Sequence, residues 1–441
     1  MSPKPLKIVY LTAGAGGMFC GSCLSDNTLA RALIELGHDV QLIPLYTPIR
    51  TEGENVAQPR VFFGGINMYL QQKLPLFRAL PAWLDRAFDQ PWLIRLATSF
   101  GIKTTAKDLG ALAVSVLRGH AGFQTKEVDR LVDWLAQETD PDLINFSNIL
   151  TAGCIPELRR KLGPRVKILV TLQGDDIFLR DLPEPYQGQA LAEVRRLVEQ
   201  IDGFLVHSRF YAEFMAGYLG IPREKFRVIP LGIDMRDLPP SSTGEPATGD
   251  SRQLTIGYLA RLAPEKGLHV LADAFIELKK LPGMDAARLR IAGWLGPQHQ
   301  QYAQAIFAKL KTAGLSASVE HVGEVDRRQK LQFLQSLDLL SVPTTYHEPK
   351  GLFVLESLAA GVPVVAPDHG SFPETLAELG GGLLHRPSDA PHLAETIHQL
   401  LLHPAQRTDL AAQGQAAVLS RRTSRAAAQA MVDVARGFLN P

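Results

Sequence analysis

Short apolar runs alternate with helix-forming segments along most of this 441-residue chain. The first run, IVYL at residues 8–11, is bounded by turn residues and partly β-branched, which is typical of a buried parallel strand. A glycine-rich loop follows. Residues 24–40 then carry leucines at helical spacing, Gly37 stops that helix, and residues 39–46 form the next apolar run. Strand, loop, helix and strand in this order predict a βαβ unit of a parallel sheet.

The alternation occurs twice, with a linker between the two series. Residues 142–147 and 166–174 continue the first series, and LPPSSTGEPATGDS at 238–251 has the composition of a linker. Ligands of doubly wound sheets bind at the carboxyl ends of strands, so a cleft between two such domains is the expected site. We predict an α/β fold with four parts: a first domain at 1–237, the linker at 238–251, a second domain at 252–422 and a final helix at 423–441.

Residues 60–120 do not fit the alternation. They are rich in aromatic residues, contain several breaks and carry a basic excess, which indicates an insertion of short helices in the first domain. One interpretation is an additional packed subdomain. The other is a surface that binds an acceptor or touches a membrane.

The composition excludes several classes of protein. Hydrophobic residues make up 46% and charged residues 21%, as in globular proteins, and the net charge of +1 gives no basis for nucleic-acid binding. No apolar run approaches the roughly 20 residues that span a bilayer. We therefore expect a cytoplasmic protein, with peripheral contact at the inner membrane face through residues 60–120 as an option. Nothing in the sequence predicts the oligomeric state.

Three cysteines give no disulfide framework, and the odd count fits a reducing compartment. Cys20 and Cys23 form a CxxC pair inside the glycine loop, which leaves two hypotheses: a phosphate or sugar cradle, or a redox pair whose thiol pKa is lowered by the helix N-terminus. No second ligand pair follows for zinc, and GDD at 174–176 has the wrong spacing for a metal-binding DxD. We expect no metal and no cofactor.

The segment HEPKGLFVLESLAAGVPVVAP, at 347–367, holds the most specific pattern. Glu348 lies on a loop just before a short helix, and Glu356 lies along that helix. Backbone N–H groups at the helix start suit an anion. A carboxylate beside an anion is repelled unless it accepts hydrogen bonds from hydroxyls, so the combination suits a sugar attached to a diphosphate. The N–H groups in question belong to Gly351, Leu352 and Phe353.

A second loop supplies positive charge. In GYLARLAPEKGLHVL, at 257–271, Arg261 and Lys266 lie just past a predicted strand end, and Gly267 allows close approach before the next helix. Two cations at this spacing can hold a leaving pyrophosphate.

Several of these stretches together resemble retaining glycosyltransferases of the GT-B fold, family 4 (glycosyl transferases group 1). They are EPKGLFVLE at 348–356, ARLAPEKG at 260–267, VIPLGID at 228–234 and GVPVVAPDHGSFPE at 361–374. The resemblance implies two Rossmann-like domains facing across a cleft, with the final helix packed back on the first domain. It implies transfer of a sugar from a nucleoside diphosphate sugar, as donor substrate, to a sugar, glycan or lipid-linked acceptor.

The resemblance also implies roles for individual residues. Arg261 and Lys266 would hold the diphosphate, Glu348 the donor sugar hydroxyls and Glu356 the ribose. The glycine loop would contact the donor phosphate and the acceptor through Gly16, Gly17 and Gly21. Glu324 and Val325, in the segment after a late strand, would contact the nucleotide base.

One position departs from the family. The stretch that resembles TLHGTD is TLQGDD at 171–176, so Gln173 replaces a histidine. Glutamine cannot relay a proton, but front-face retention requires no enzyme nucleophile, so Gln173 could orient a sugar hydroxyl in an active enzyme. The alternative is a sugar-nucleotide-binding regulatory protein without turnover. Asp176 is a candidate for binding acceptor hydroxyls, and equally a turn or helix-cap aspartate. A thiol oxidoreductase using Cys20 and Cys23 is the third hypothesis.

Overall fold

Two six-stranded parallel sheets form the framework of the computed structural model. The structure describes residues 4–14, 20–51, 53–63, 68, 71–72, 106–236 and 253–440. The predicted linker, most of the predicted insertion, and Gly16 and Gly17 of the glycine loop lie outside these ranges. The described chain divides into two compact units, with unit 1 comprising Met1–His207, Tyr211–Ile229 and Ala427–Pro441, and unit 2 comprising Ser208–Phe210 and Pro230–Ala426.

The sheet of unit 1 has the strand order β2-β1-β3-β4-β5-β6, with every neighbouring pair parallel. Its central strands are mostly apolar and are buried apart from Lys7 at the start of β1, as expected for parallel strands covered on both faces. The strands are β1 (Lys7–Thr12), β2 (Asp39–Pro44), β3 (Leu143–Phe146), β4 (Lys167–Thr171), β5 (Gly203–Val206) and β6 (Phe226–Val228). The α-helices that the structure describes in this part of the chain are α1 (Gly21–Glu35), α2 (Ala106–Leu117), α3 (Thr125–Glu138), α4 (Ile155–Leu162), α5 (Asp175–Arg180), α6 (Tyr186–Val198) and α7 (Arg209–Leu219).

Unit 2 repeats the plan with the order β12-β11-β10-β7-β8-β9, again all parallel. Its strands are β7 (Thr255–Leu259), β8 (Arg288–Ala292), β9 (Val319–Gly323), β10 (Leu339–Ser341), β11 (Val364–Pro367) and β12 (Gly382–His385). Its α-helices are α8 (Leu268–Leu278), α9 (Gln300–Thr312), α10 (Arg327–Gln335), α11 (Leu352–Ala359), α12 (Phe372–Leu379), α13 (Ala390–Leu402) and α14 (Pro404–Arg421).

The last helix, α15 (Ser424–Leu439), packs on unit 1. Its apolar face joins the core formed by α1 and the strands of that unit, and Ala428 and Met431 are fully buried there. The predicted return of the final helix to the first domain is confirmed, as is the α/β class with two Rossmann-like sheets.

Each sheet has one point at which the direction of strand addition reverses. In unit 1 it lies between β1 and β3, and in unit 2 between β7 and β10. Loops that leave the carboxyl ends of two such strands diverge to opposite faces of the sheet and leave a crevice between them. In unit 2, Lys266 and Glu348 lie in the loops that follow the two strands of this point, whereas Glu324 and Val325 follow the edge strand β9.

Candidate active site

In unit 2, Lys266 and Glu348 meet at the switch point. Lys266 ends a one-turn helix in the loop after β7, and Glu348 lies in the loop after β10. The Lys266 ammonium donates to Glu348 Oε2 at 2.7 Å and to the Tyr346 hydroxyl at 2.6 Å, and that hydroxyl donates to the same carboxylate. The ammonium also lies 4.7 Å from the centre of the Tyr346 ring. Three side chains therefore form one polar cluster.

Gly267 makes this approach possible. It adopts φ +73°, and a Cβ at this position would lie 1.8 Å from the carbonyl oxygen of Pro343. The backbone N–H of Thr345 donates to the carbonyl of Glu265 at 2.9 Å, which ties the two loops together. Only glycine tolerates both the left-handed backbone and the contact, so the EKG sequence fixes the place of the lysine.

Glu348 is ionised in this setting. Burial alone would raise its pKa, but the Lys266 ammonium and the hydrogen bonds from Lys266, Tyr346 and the Gly351 N–H together hold the pKa of Glu348 below its usual value. The side chains of Lys266 and Glu348 are only 13% and 5% exposed. Burial and the neighbouring carboxylate raise the pKa of Tyr346, which stays a neutral hydrogen-bond donor. The site thus offers one buried cation beside one buried acceptor.

Helix α11 begins where the sequence predicts it. Gly351 precedes it with a left-handed backbone (φ +59°), and its N–H donates to Glu348 Oε1 at 3.3 Å. Leu352 and Phe353 form the first turn and are half-buried. Glu356 lies farther along the helix, and its Oε1 accepts from the Lys330 ammonium of α10 at 2.6 Å.

Other predicted residues of unit 2 lie in nearby loops. Arg261 follows β7 and pairs with Glu265 at 3.1 Å, with its side chain 39% exposed. Glu324 and Val325 follow β9, the glutamate exposed and the valine buried. The roles of these residues stay predictions.

In unit 1, a buried carboxylate lies at the carboxyl-terminal edge of the sheet. Asp26, on the second turn of α1, is 1% exposed. Its Oδ1 accepts from the Tyr10 hydroxyl at 3.2 Å and from Gln173 Nε2 at 2.9 Å, and its Oδ2 accepts from the Thr12 hydroxyl at 2.7 Å. Gln173 Nε2 also lies 3.4 Å from the carbonyl oxygen of Ser147. These groups come from β1, from the residues that follow β3 and β4, and from the helix that follows the glycine loop.

The turn that carries Gln173 is held by Asp175. The Asp175 carboxylate accepts from the backbone N–H of Gln173 at 2.8 Å and of Ile149 at 2.7 Å, and burial raises its pKa to about 6. Gly174 between them has φ +112°. Asp176 accepts from the Tyr211 hydroxyl at 2.6 Å. This partner is compatible with either predicted role of Asp176.

The cysteine pair lies at the start of α1. Cys20 caps the helix without a side-chain hydrogen bond to its backbone, Gly21 is the first helical residue, and Cys23 is buried. A hydrogen bond with Cys20, together with burial, raises the pKa of the Cys23 thiol rather than lowering it. Cys20 and Cys23 are reduced thiols that are not joined by a disulfide. The lowered pKa expected from the helix N-terminus is therefore wrong for Cys23.

Within the described ranges, no group of three His, Cys, Asp or Glu side chains could hold a metal ion. Over the same residues, no helix combines the length and apolarity needed to cross a membrane.

Sequence reasoning missed Asp26, Tyr346 and Lys330. Asp26 could have been found, because it occupies the same helical face as the buried residues Leu29 and Leu33 of α1. A carboxylate on the apolar face of the helix that directly follows a glycine loop must have polar partners. Lys330 gave no comparable signal, because its partner Glu356 is more than 20 positions away. Tyr346 lies two residues from Glu348, but its other partner, Lys266, is also more than 20 positions away.

Two family models match adjacent segments of the chain: Glycosyltransferase Family 4 at residues 110–237 and Glycosyl transferases group 1 at residues 246–417. The chain belongs to the family 4 glycosyltransferases. Its motifs therefore identified the family correctly.

The chain also resembles individual curated proteins and solved structures. It is 28% identical over 238 residues to a D-inositol 3-phosphate glycosyltransferase of Mycolicibacterium smegmatis, covering 53% of this chain and 52% of that protein. It is 32% identical to a phosphatidyl-myo-inositol mannosyltransferase of Mycobacterium leprae, covering 46% of this chain and 51% of that protein. The chain thus spans about half the length of the curated relatives it matches.

The solved structures match over nearly the whole chain. Sucrose-phosphate synthase from Thermosynechococcus elongatus has a TM-score of 0.67 at 20% identity, with 98% of each chain covered. HepE from Anabaena, solved with UDP and glucose, has a TM-score of 0.66 at 18% identity, covering 97% of this chain and 99% of that one. At these identities the likeness establishes the GT-B fold.

Proposed function

We propose that this protein transfers a sugar from a nucleoside diphosphate sugar to a hydroxyl of an acceptor, with retention of the anomeric configuration and without a metal or other cofactor. The observation that carries the proposal is the buried Lys266–Glu348 pair at the switch point of unit 2. Few ligands need a cation and an ionised acceptor side by side. A sugar diphosphate has both a phosphate for the ammonium and hydroxyls for the carboxylate.

The donor would be held mainly by unit 2. Lys266 and Arg261 neutralise the diphosphate, and the Leu352 and Phe353 N–H groups at the start of α11 add hydrogen-bond donors. Glu348 accepts from sugar hydroxyls and Glu356 from the ribose hydroxyls. Glu324 and Val325 border the base, while Gly16 and Gly17 allow the chain to approach the phosphate. Charge on the leaving diphosphate grows during the reaction, so Lys266 stabilises the transition state more than the bound donor.

Transfer would follow a front-face course. The bond between the anomeric carbon and the phosphate oxygen breaks, and the acceptor oxygen bonds to the same face. The acceptor proton goes to the leaving phosphate oxygen, so no side chain needs to act as nucleophile or base. Gln173 orients a hydroxyl of the sugar, and Asp176 and Gly21 lie on the acceptor side.

The names of the relatives point to polyol acceptors, an inositol phosphate for one and a phosphatidylinositol for the other. We include these two compounds with simple sugars, glycans and lipid-linked sugars as acceptors to be tried. A lipid-linked acceptor would require peripheral membrane contact, for which residues 60–120 are the candidate segment.

A second function has one observation in its favour. Gln173 replaces the family histidine, which allows a protein that binds a sugar nucleotide without turning it over. The change Gln173→His should then create activity.

The deciding experiment is release of free nucleotide from UDP-, GDP- and ADP-sugars, measured by chromatography with and without the acceptors named above. Binding of each donor is measured in parallel by calorimetry. Release from one donor supports transfer and names base and sugar together. Binding without release, with activity appearing only in Gln173→His, favours the regulatory function. Neither binding nor release across the panel contradicts both.

A further inference from the structure

We propose that Glu348 competes with the diphosphate of a bound ligand for the Lys266 ammonium, so that the site binds a nucleoside diphosphate sugar more tightly than the nucleoside diphosphate that remains after transfer. Glu348 is then a specificity-determining residue that favours release of this product. The inference rests on the proposed function and deepens it.

The first support is that the charge of Lys266 is already balanced inside unit 2. Its ammonium donates to Glu348 Oε2 at 2.7 Å, and the two side chains are only 13% and 5% exposed. Among the residues that the structure describes, no other carboxylate lies within ion-pair distance of Lys266. A diphosphate that contacts this lysine therefore meets a cation that a buried carboxylate already neutralises.

The second support is that Glu348 is held next to Lys266. The Tyr346 hydroxyl accepts from the Lys266 ammonium at 2.6 Å and donates to Glu348 Oε2, so it links the two charged groups. The Gly351 N–H donates to Glu348 Oε1 at 3.3 Å, and the Ser371 N–H donates to the Glu348 carbonyl oxygen at 2.9 Å. These contacts fix both the side chain and the backbone of Glu348. Its negative charge therefore stays beside any anion that Lys266 binds.

The two ligands differ in what they offer Glu348. A nucleoside diphosphate accepts hydrogen bonds from Lys266 but brings further negative charge next to Glu348, and repulsion between buried charges is weakly screened. It also draws the cation away from a buried carboxylate, which is unfavourable when nothing replaces that cation. The hydroxyls of an attached sugar compensate by donating to the carboxylate. Once the sugar has been transferred, these hydroxyls leave, and Glu348 again binds Lys266 in place of the diphosphate.

A neighbouring ion pair of unit 2 supplies an internal comparison. The Lys330 ammonium donates to Glu356 Oε1 at 2.6 Å. Under the proposed function Glu356 accepts from the ribose, which both ligands contain. Removal of its charge should therefore change both affinities by the same factor, whereas removal of the Glu348 charge should change their ratio.

The test is calorimetric titration of the full-length protein with UDP, GDP and ADP and with the panel of their sugar conjugates. EDTA is present, so that no metal ion neutralises the diphosphate. We expect the wild type to bind its preferred conjugate at least about 10-fold more tightly than the corresponding nucleoside diphosphate, because the conjugate keeps a charged group hydrogen-bonded.

Glu348→Gln keeps the shape of the side chain and removes its charge. This variant should bind the nucleoside diphosphate about 10-fold more tightly than the wild type does, and it should lose most of the preference for the conjugate. Two controls accompany it. Glu356→Gln should keep the wild-type ratio of the two Kd values. Glu277→Gln removes an exposed charge that pairs with Lys280 in unit 2, so it changes the net charge equally and should leave both affinities unchanged.

A wild type that binds the nucleoside diphosphate as tightly as its preferred conjugate would overturn the inference, and transfer activity in the same preparation would leave the proposed function intact. The wild-type ratio in Glu348→Gln would overturn it equally. If Glu348→Gln does not fold, the wild-type comparison alone decides. Absence of binding for every ligand of the panel overturns the proposed function and this inference together.

Discussion

The switch points of the two units are built on the same strand plan but differ in chemistry. In unit 2 an ammonium and a carboxylate lie in contact, contributed by the loops that follow β7 and β10. In unit 1 a carboxylate from the next helix is surrounded by hydroxyls and an amide. The sheet determines where a ligand binds, and the loops determine which charges it meets.

This difference predicts different sensitivities. When one partner of a buried ion pair is removed, the other is left as an uncompensated charge. When one of several neutral donors around a carboxylate is replaced, only a single hydrogen bond is lost. We therefore expect the larger effects in unit 2.

The largest effect is expected for Lys266→Met. Under the proposed function this change removes the cation beside the leaving diphosphate, which should lower kcat/KM by about 100- to 1,000-fold, whereas Gln173→Ala should lower it by about 10-fold. Steady-state kinetics with the donor found by nucleotide release measures both. Lys280→Met is the control, since Lys280 forms an exposed pair with Glu277 in unit 2 away from the site. Equal losses in Lys266→Met and Gln173→Ala would contradict the distinction.

Gly267→Ala should be much more damaging than the same change at a left-handed glycine with open space around it. Its backbone is left-handed, and the new methyl would meet the Pro343 carbonyl. Gly314 has nearly the same φ, +77°, with nothing within 4 Å, so Gly314→Ala isolates the backbone cost. We expect about 1 kcal/mol for Gly314→Ala and at least about 2 kcal/mol more for Gly267→Ala. Chemical denaturation compares them, and equal costs would mean that the loops adjust freely.

Asp175 should give unit 1 a distinctive pH dependence. Its pKa is about 6 in the folded protein against an ordinary 3.8, so between these values the folded state holds a proton that the unfolded state has lost. The free energy of unfolding should therefore fall as the pH rises from about 4 to about 6, by on the order of 1–3 kcal/mol, and this group adds no slope above that range. Thermal unfolding of wild type and Asp175→Asn across the range shows the difference. Parallel curves for the two proteins would be inconsistent with a raised pKa.

The smallest effect is expected at the cysteines. Burial and the contact with Cys20 raise the pKa of Cys23, and burial raises that of Cys154 to about 12, so neither thiol is ionised near neutral pH. Alkylation by iodoacetamide should be slow at Cys23 in the folded protein, as followed by mass spectrometry. Cys20→Ser/Cys23→Ser should retain wild-type kinetics with the donor. A large loss of activity would support the redox hypothesis instead.

The architecture was predictable because parallel strands that are buried on both faces must be short apolar runs. IVYL at 8–11 and the apolar runs that follow it fit no other structural element. Lys266 and Glu348 were found from local patterns, since glycine and proline mark the loops that carry them. Their direct contact was not predicted, because it joins positions 82 apart and depends on the reversal of strand order. Asp26 was missed for a similar reason: its partner Gln173 is distant in sequence. The redox hypothesis assumed a lowered thiol pKa, which is wrong for Cys23 because that hypothesis considered the helix N-terminus without burial.

The last helix has a consequence for biosynthesis. Ala428, Met431 and Ala435 complete the core of unit 1, yet more than 190 residues of unit 2 are translated between β6 and this helix. The sheet of unit 1 therefore keeps part of one face open until unit 2 and α15 have been translated. Unit 1 expressed only as far as Ile229 should be prone to aggregation, and a separate peptide of α15 should rescue its solubility.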